Sequence, residues 1–263
     1  MGKVYLVGAG PGSADLLTLR ALRLIQAADV ILFDALVSTE VLQLASSNAR
    51  LINVGKRSGR KSFSQDDINA LLFYAARNAE VVVRLKGGDP MIFGRAAEEM
   101  ATLRKERIEF EVVPGVTAAC SAAAAAKVSL TDRRIASNVS FLTAHSCEEN
   151  SGKKWIEPSE NNRTLVIYMP GQDYERLGSD LLGAGIVANT PCVVVSKISS
   201  ADQQFLRTNV GSLGLVTALP APAVIIVGEV AESAESAEEV IAVGKLEHFG
   251  GEEVRSHVAY SAR

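Results

Sequence analysis

The sequence predicts an α/β fold built as two α/β domains, and three observations carry that expectation. Short β-branched runs alternate with runs of helical periodicity through the first half, the pattern of strands joined by crossover helices into a mainly parallel sheet. Glycine-rich turns follow several of those strands at their carboxyl ends, where open α/β sheets bind ligands. After Lys127 the character changes, because the polar segment Thr131-Asp132-Arg133-Arg134 closes the first series and a new strand-like run opens a second. Residues 1–136 are therefore expected to form an amino-terminal domain and 137–231 a carboxyl-terminal one, with 232–263 a polar tail of unassigned structure.

Taken in order, residues 4–7, 30–33, 51–54, 81–85 and 110–113 read as strands, each a short β-branched or apolar run. Between them and after the last, residues 15–27, 40–45, 64–77, 95–105 and 117–126 read as helices. Ser64 followed by Asp67 is a capping-box-like start, and Ile68, Leu71, Leu72 and Ala75 form the buried stripe behind it. The alanine-rich helix at 117–126 carries no large side chain. It fits close packing against a sheet or ligand, and equally a helix of high propensity with no further role. In the second half, strands are expected at 139–143, 165–169, 192–195, 205–209 and 224–227, and helices at 174–182 and 211–217. The polar stretch 148–162 separates the first of these strands from the next, and the Glu-Ser-Ala repeat from Glu232 forms one short helix or none.

Composition narrows the function classes. With 263 residues there is room for one large or two modest domains, and 48% hydrophobic with 22% charged residues is globular. A net charge of −3 argues against a dedicated nucleic-acid binder. The chain has no apolar run of about 18 residues and no signal-peptide pattern, so the cytoplasm is the expected compartment. Cys120, Cys147 and Cys192 are odd in number and widely spaced, and His145, His248 and His257 show no ligand spacing, so neither a disulfide framework nor a metal site is expected.

The segment Arg84-Leu-Lys-Gly-Gly-Asp-Pro-Met-Ile-Phe-Gly-Arg95 bears most on function. It runs from a β-branched strand into a helix, which places Gly87, Gly88 and Asp89 on a carboxyl-end loop. Two glycines let the backbone approach a ligand, and Asp89 offers acceptors for hydroxyl or amino groups. By itself it is also compatible with a tight turn whose Asp caps the helix.

The first loop, Gly8-Ala-Gly10-Pro-Gly12, invites a dinucleotide reading, with Asp34 after the second strand as the ribose-binding acid. That fingerprint needs a glycine where Ser13 stands. Pro11 also deletes an N–H that would face a pyrophosphate. No Gly-Lys-Ser/Thr follows, so a P-loop fails too.

Leu6-Val-Gly-Ala-Gly-Pro-Gly12, Phe33-Asp-Ala-Leu-Val-Ser38, Val54-Gly-Lys-Arg-Ser-Gly59, the 84–95 segment and Val113-Pro-Gly-Val-Thr-Ala118, in this order, resemble the tetrapyrrole methylases. The resemblance runs from about Lys3 to Val230, and the Lys56 and Gly87-Gly88-Asp89 elements look like the members that methylate uroporphyrinogen III. It implies a cofactor cleft between the two domains and S-adenosylmethionine as methyl donor, a phosphate-free ligand with which the Gly-Pro-Gly turn is compatible.

Carried over position by position, the resemblance implies that Pro11, Gly87, Gly88, Asp89, Ile92, Thr117 and Ala118 line the cofactor site from the first domain. Met169, Ile198 and Gly228 line it from the second. Without it, Met169 reads equally as core packing. It further implies Asp34 as proton acceptor and Lys56 as proton donor, where the residues alone allow a turn carboxylate and a surface lysine. Arg57, Arg60, Lys86 and Arg133 are the cations expected to meet the substrate's carboxylates, where the residues alone equally allow ordinary surface charge.

The implied reaction is two successive methylations of uroporphyrinogen III to precorrin-2 by a homodimer, with no metal, nucleic acid or membrane. With the sequence starting at the methylase motifs, later oxidation and metal insertion are expected to fall to other proteins. Three departures bear on this. Ala35 replaces a common Arg, Asp132 a common His, and Met91 with Ala96-Ala97 a Phe and a Gly-Gly. They keep open a methylase of a later precorrin. From other classes the rivals are a dinucleotide-dependent oxidoreductase and an idle adenosyl-binding module, the latter opposed by the presence of Asp34 and Lys56.

Overall fold

Five strands of the first half, β1 (Lys3–Gly8), β2 (Val30–Phe33), β3 (Arg50–Asn53), β4 (Val81–Lys86) and β5 (Phe110–Val113), pair in parallel in the order β3-β2-β4-β1-β5. The structure is a computed structural model and describes residues 1–55, 63–144 and 162–234. Side chains alternate across the sheet, so each face gathers its own core. Val4, Leu6, Leu32 and Val82 meet Ile68 and Leu72 of α3 (Gln65–Asn78) and Leu103 of α4 (Ala96–Lys105). On the opposite face Val7, Ile31, Val83 and Leu85 meet Ala21 and Ile25 of α1 (Leu19–Ala27) and Val41 of the single-turn α2 (Thr39–Leu42).

Local chemistry sets the helix limits. The expected capping box is formed: Ser64 Oγ accepts from the Asp67 N–H at 3.1 Å, and the Asp67 carboxylate accepts from the Ser64 N–H at 2.8 Å. The helix expected at 15–27 is shorter, because the Thr18 hydroxyl caps Ala21 N–H and α1 starts at Leu19. What precedes it is a three-residue 3-10 turn, Ala14–Leu16.

The second sheet holds β6 (Asn138–Thr143), β7 (Arg163–Tyr168), β8 (Pro191–Ser196), β9 (Gln204–Asn209) and β10 (Ala223–Val227), in the order β6-β7-β10-β8-β9. Only β6 and β7 run parallel; the other three pairings are antiparallel. One face is covered by α6 (Tyr174–Gly183) and a 3-10 helix at Val210–Leu215, which bury Leu177, Leu181 and Leu213 against Ile167, Val194 and Ile225. The other face is covered by α5 (Ala118–Ala125), whose Ala119, Ala122 and Ala123 lie on Val166, Val193, Val224 and Ile226.

The packing thus divides the chain earlier than the boundary expected at 136. Residues of α5, with Ala126, Val128 and Ala136, share the core of the second sheet. That core also runs past 231, because Ala234 is buried in it and Arg207 donates to the carbonyls of Glu232 and Ala234. The rest of the expected tail lies outside the described residues.

At the carboxyl edge of the parallel sheet three segments come into backbone contact. Gly10 and Gly88 exchange N–H···O bonds of 3.2 and 2.7 Å, and Ala9 N–H donates to Lys86 O at 2.7 Å. A Cβ on Gly115 would stand 2.3 Å from Gly88 O and 2.8 Å from the Gly8 Cα, and neither neighbour is a flexible side chain that could give way. Gly115→Ala is therefore expected to cost about 1–3 kcal/mol by overpacking. Gly183, at the end of α6, has nothing within 4 Å of such a Cβ, so Gly183→Ala should be neutral or gain up to about 1 kcal/mol. Denaturant midpoints at unchanged slope compare the two.

Candidate active site

Between the parallel sheet and the second sheet lies a cavity of about 200 Å³. The first-half residues expected at a cofactor all border it: Pro11, Gly87, Gly88, Asp89, Ile92, Thr117 and Ala118. Met169 and Ile198 border it from the second sheet. Met169 ends β7 in a left-handed conformation, φ 49°, and is 47% exposed, so it is a wall of the cleft rather than core filler.

Gly228 is not brought to the cavity. It follows β10, and its N–H donates to Pro191 O at the start of β8. The cavity meets the other end of β10, at Pro222, Ala223 and Val224, about 13 Å away at the usual rise per strand residue. β10 is antiparallel to β7, so its beginning lies beside the end of β7 where Met169 emerges.

Asp89 is engaged within the protein: Oδ1 accepts from Met91 N–H at 2.8 Å and Oδ2 from Gly115 N–H at 3.0 Å. The carboxylate clamps the loop after β4 to the loop after β5. Each oxygen keeps a lone pair for a ligand.

Tyr168, Leu36 and Phe93 also line the cavity and were not expected there. The Tyr168 hydroxyl lies 2.5 Å from Thr117 Oγ1 and accepts from Ala119 N–H at 3.2 Å, and its ring packs on Phe93 with centroids 5.0 Å apart. Burial pushes the phenol above the usual tyrosine range. Tyr168 is next to Met169 in sequence, and an aromatic with a polar tip at a strand end was the signal available.

Asp34 stands where this cavity meets a second one, lined also by Ala35, Gly55, Phe63, Arg84 and Arg95. Its Oδ1 accepts from Arg84 Nη2 at 2.5 Å. Lys86 borders both cavities but differs from the exposed carboxylate grip expected of it: the residue is 2% exposed and its ammonium donates to both oxygens of the buried Glu99, at 3.0 and 3.1 Å. Burial, aided by Arg84 beside it, lowers the Lys86 pKa from its ordinary value.

Arg133 is exposed and borders neither cavity. Beside it Asp132 and Arg134 pair at 2.8 Å, and those hydrogen bonds hold the Asp132 carboxyl at about 2. Lys56, Arg57 and Arg60 lie outside the described residues, as do His145, Cys147, His248 and His257. Gly55 and Phe63, the described residues on either side of 56–62, both line the second cavity. Among the described residues no three His, Cys, Asp or Glu are grouped to hold a metal ion.

The cavity fits an adenosyl ligand without phosphates better than a dinucleotide. The loop after β1 leads into a 3-10 turn, and the first α-helix starts only after Thr18, with a capped N-terminus. A pyrophosphate would find neither the N–H of Pro11 nor a helix end to rest on. Ile92, Ala118, Met169, Ile198 and Ala223 offer apolar surface instead.

Comparison with known proteins bears on the same arrangement. The family model for Tetrapyrrole (Corrin/Porphyrin) Methylases matches residues 3–214. The siroheme synthase of Actinobacillus pleuropneumoniae is 45% identical over 231 residues, 88% of this chain and 48% of that protein; the one from Chromobacterium violaceum is 45% identical over 240 residues, 89% and 50%. The chain thus spans about half the length of these curated relatives. The uroporphyrin III C-methyltransferase of Thermus thermophilus superposes with a TM-score of 0.77 at 35% identity, over 88% of this chain and 99% of that one. The same enzyme complexed with S-adenosyl homocysteine gives 0.76 at 35% identity, with the same shares covered.

Tyr168→Phe removes the hydroxyl that meets Thr117 and the Ala119 N–H, leaving that buried donor without its partner. The expected cost is about 1–3 kcal/mol, seen as a lower denaturant midpoint. A midpoint equal to the parent protein's would show that the hydroxyl is dispensable to the joint between the units.

Proposed function

We propose, from the premise that this chain belongs to the tetrapyrrole (corrin/porphyrin) methylases, that it is an S-adenosylmethionine-dependent C-methyltransferase converting uroporphyrinogen III to precorrin-2. The observation that carries the reading is the position of Asp34 where an apolar, glycine-walled cleft meets a second cavity. Similarity to the Thermus enzyme along nearly its whole length supports the acceptor, and that enzyme's complex with S-adenosyl homocysteine supports the methyl donor. Because the curated relatives are about twice as long, the proposal is confined to methyl transfer.

S-adenosylmethionine supplies an electrophilic methyl group on a sulfonium. Direct transfer to carbon needs no covalent enzyme intermediate, so the protein's task is to align the reactants and exclude water. The loops after β1, β4 and β5 hold one reactant by backbone approach, while Ile92, Met169 and Ile198 keep the surroundings apolar. Methylating a pyrrole carbon leaves positive charge on the macrocycle, which is relieved when a proton leaves. Asp34 is the acceptor for it in this reading, and Lys56, as donor, adds a proton at another position of the macrocycle only as a second one leaves, so that each methylation releases one proton net. Arg57 and Arg60, from the segment between Gly55 and Phe63, meet the substrate's carboxylates. Lys86, already bonded to Glu99, contributes its charge rather than a direct grip.

A second reading is a methylase of a later precorrin. It is favoured by one observation: Ala35, where the family commonly has Arg, lines the second cavity beside Asp34. Asp132, the other departure, borders neither cavity. The proposal also takes the protein to be a cytoplasmic homodimer acting without nucleic acid or membrane. Among the described residues no helix is long and apolar enough to cross a membrane.

Incubation with labelled S-adenosylmethionine and freshly reduced uroporphyrinogen III should give a product bearing two added methyl groups, read by mass. Incorporation only into a later precorrin would move the chain to the second reading. Asp34→Ala and Lys56→Ala should each lower turnover by about 10²- to 10⁴-fold, with affinity for S-adenosylhomocysteine unchanged within a few-fold by calorimetry. Full turnover in both variants would remove the proton-transfer roles. Apparent substrate affinity should also weaken as salt rises, because cations meeting carboxylates are screened.

A further inference from the structure

Behind Asp34 lies a buried set of charges, Arg84, Lys86 and Glu99, of which the proposed chemistry uses only that of Lys86. Arg84 and Lys86 leave β4 two residues apart and so on the same face. Glu99 enters from the first turn of α4, is fully buried and lines neither cavity. Its Oε1 accepts from Arg84 Nε at 2.9 Å, and both its oxygens accept from Lys86 Nζ. The Arg84 guanidinium reaches on to Asp34, whereas the Lys86 ammonium stops 3.9 Å from Asp34 Oδ2, beyond hydrogen-bonding distance. With Asp34 the set holds two cations and two carboxylates.

Three charges buried behind a partly exposed carboxylate contribute little to stability, since well-packed apolar residues of similar size often do as well. Their position directly behind a candidate proton acceptor suggests a different use. We propose that Glu99 is a positioning residue: it draws the Lys86 ammonium away from Asp34 and cancels one of the two cations beside it, so that Asp34 keeps the basicity needed to accept a proton. This rests on the reading of Asp34 as that acceptor.

A carboxylate facing two uncompensated cations is stabilised in its charged form and becomes a weaker base. Lys86 is a point charge on a flexible stem, and its bonds to Glu99 oppose closure of the gap to Asp34. Among the described residues, Arg84 and Lys86 from β4 are the cations within 4 Å of Asp34, Glu99 of α4 is bonded to both, and Asp89 shares the first cavity. Arg95, which shares the second cavity, is turned onto Glu98 at 2.7 Å.

The test follows the Asp34 carboxyl by carbon-13 NMR, assigned by its loss in Asp34→Asn, together with kcat against pH at saturating substrate. Glu99→Gln keeps the shape and leaves one net positive charge. The titration of Asp34 should fall by about one pH unit or more, since one unit is about what an unbalanced charge produces. The kcat should fall by about tenfold or more. Adding Lys86→Met restores neutrality and should bring the titration back toward that of the parent protein.

An unshifted titration in Glu99→Gln overturns the inference. If that variant does not fold, Lys86→Met alone decides: it leaves one net negative charge and must raise the titration, and no change overturns the inference. Full turnover in Asp34→Asn would overturn the acceptor reading, and with it the catalytic purpose assigned to Glu99. An inactive Asp34→Asn beside a Glu99→Gln of normal titration would overturn the role of Glu99 alone.

Discussion

The cleft depends on how closely three stretches of backbone can approach at the carboxyl edge of the parallel sheet. Gly8 and Gly115 meet the Gly88 backbone where a Cβ on either would fall inside its neighbours, Gly88 itself sits at a φ of 68°, and the Asp89 carboxylate fixes the contact by accepting from Met91 and Gly115. The paired bonds between Gly10 and Gly88 satisfy polar groups that would otherwise be left to a ligand. The result is a rigid wall with little side chain on it and few free donors. Such a wall suits a ligand held by shape and apolar contact, and offers little to one held by its phosphates.

The opposite wall depends on α5. Its alanines carry no bulk, so the helix lies close on β7, β8 and β10, and Thr117 at its start meets the Tyr168 hydroxyl at the end of β7. One hydroxyl thereby joins the loop after β5 to the second sheet, and Phe93 packs on its ring from the loop after β4. Both walls are fixed to each other at the point where Met169 turns outward.

Local chemistry made much of this legible. β2 and β5 fall at the expected limits, and the Ser64–Asp67 capping box could be read directly, because strand runs, caps and turn glycines act within a few residues. What was not legible depended on distant partners. The alanine run of α5 has no apolar stripe to say which sheet it covers. Gly228 was placed at the cleft, but which end of β10 faces it depends on the antiparallel pairing with β7, and a run of Val and Ile does not state direction. Lys86 reads as a surface cation by residue type. Its partner Glu99 lies 13 residues on, across a loop and in another element.

The choice of cation at each position of β4 has a physical sense. Arg84 serves three acceptors in different directions, Glu99, Leu85 O and Asp34, which a planar guanidinium can do and an ammonium on a single stem does less well. Lys86 carries a charge whose pKa burial already lowers, and both oxygens of Glu99 hold it. An arginine at 86 would be longer, with donors enough to span Glu99 and Asp34 together, and the 3.9 Å separation that leaves Asp34 with one direct cation would be lost. The order Arg84 then Lys86 therefore does more than supply two positive charges: it places a fixed one against Asp34 and a restrained one just out of reach.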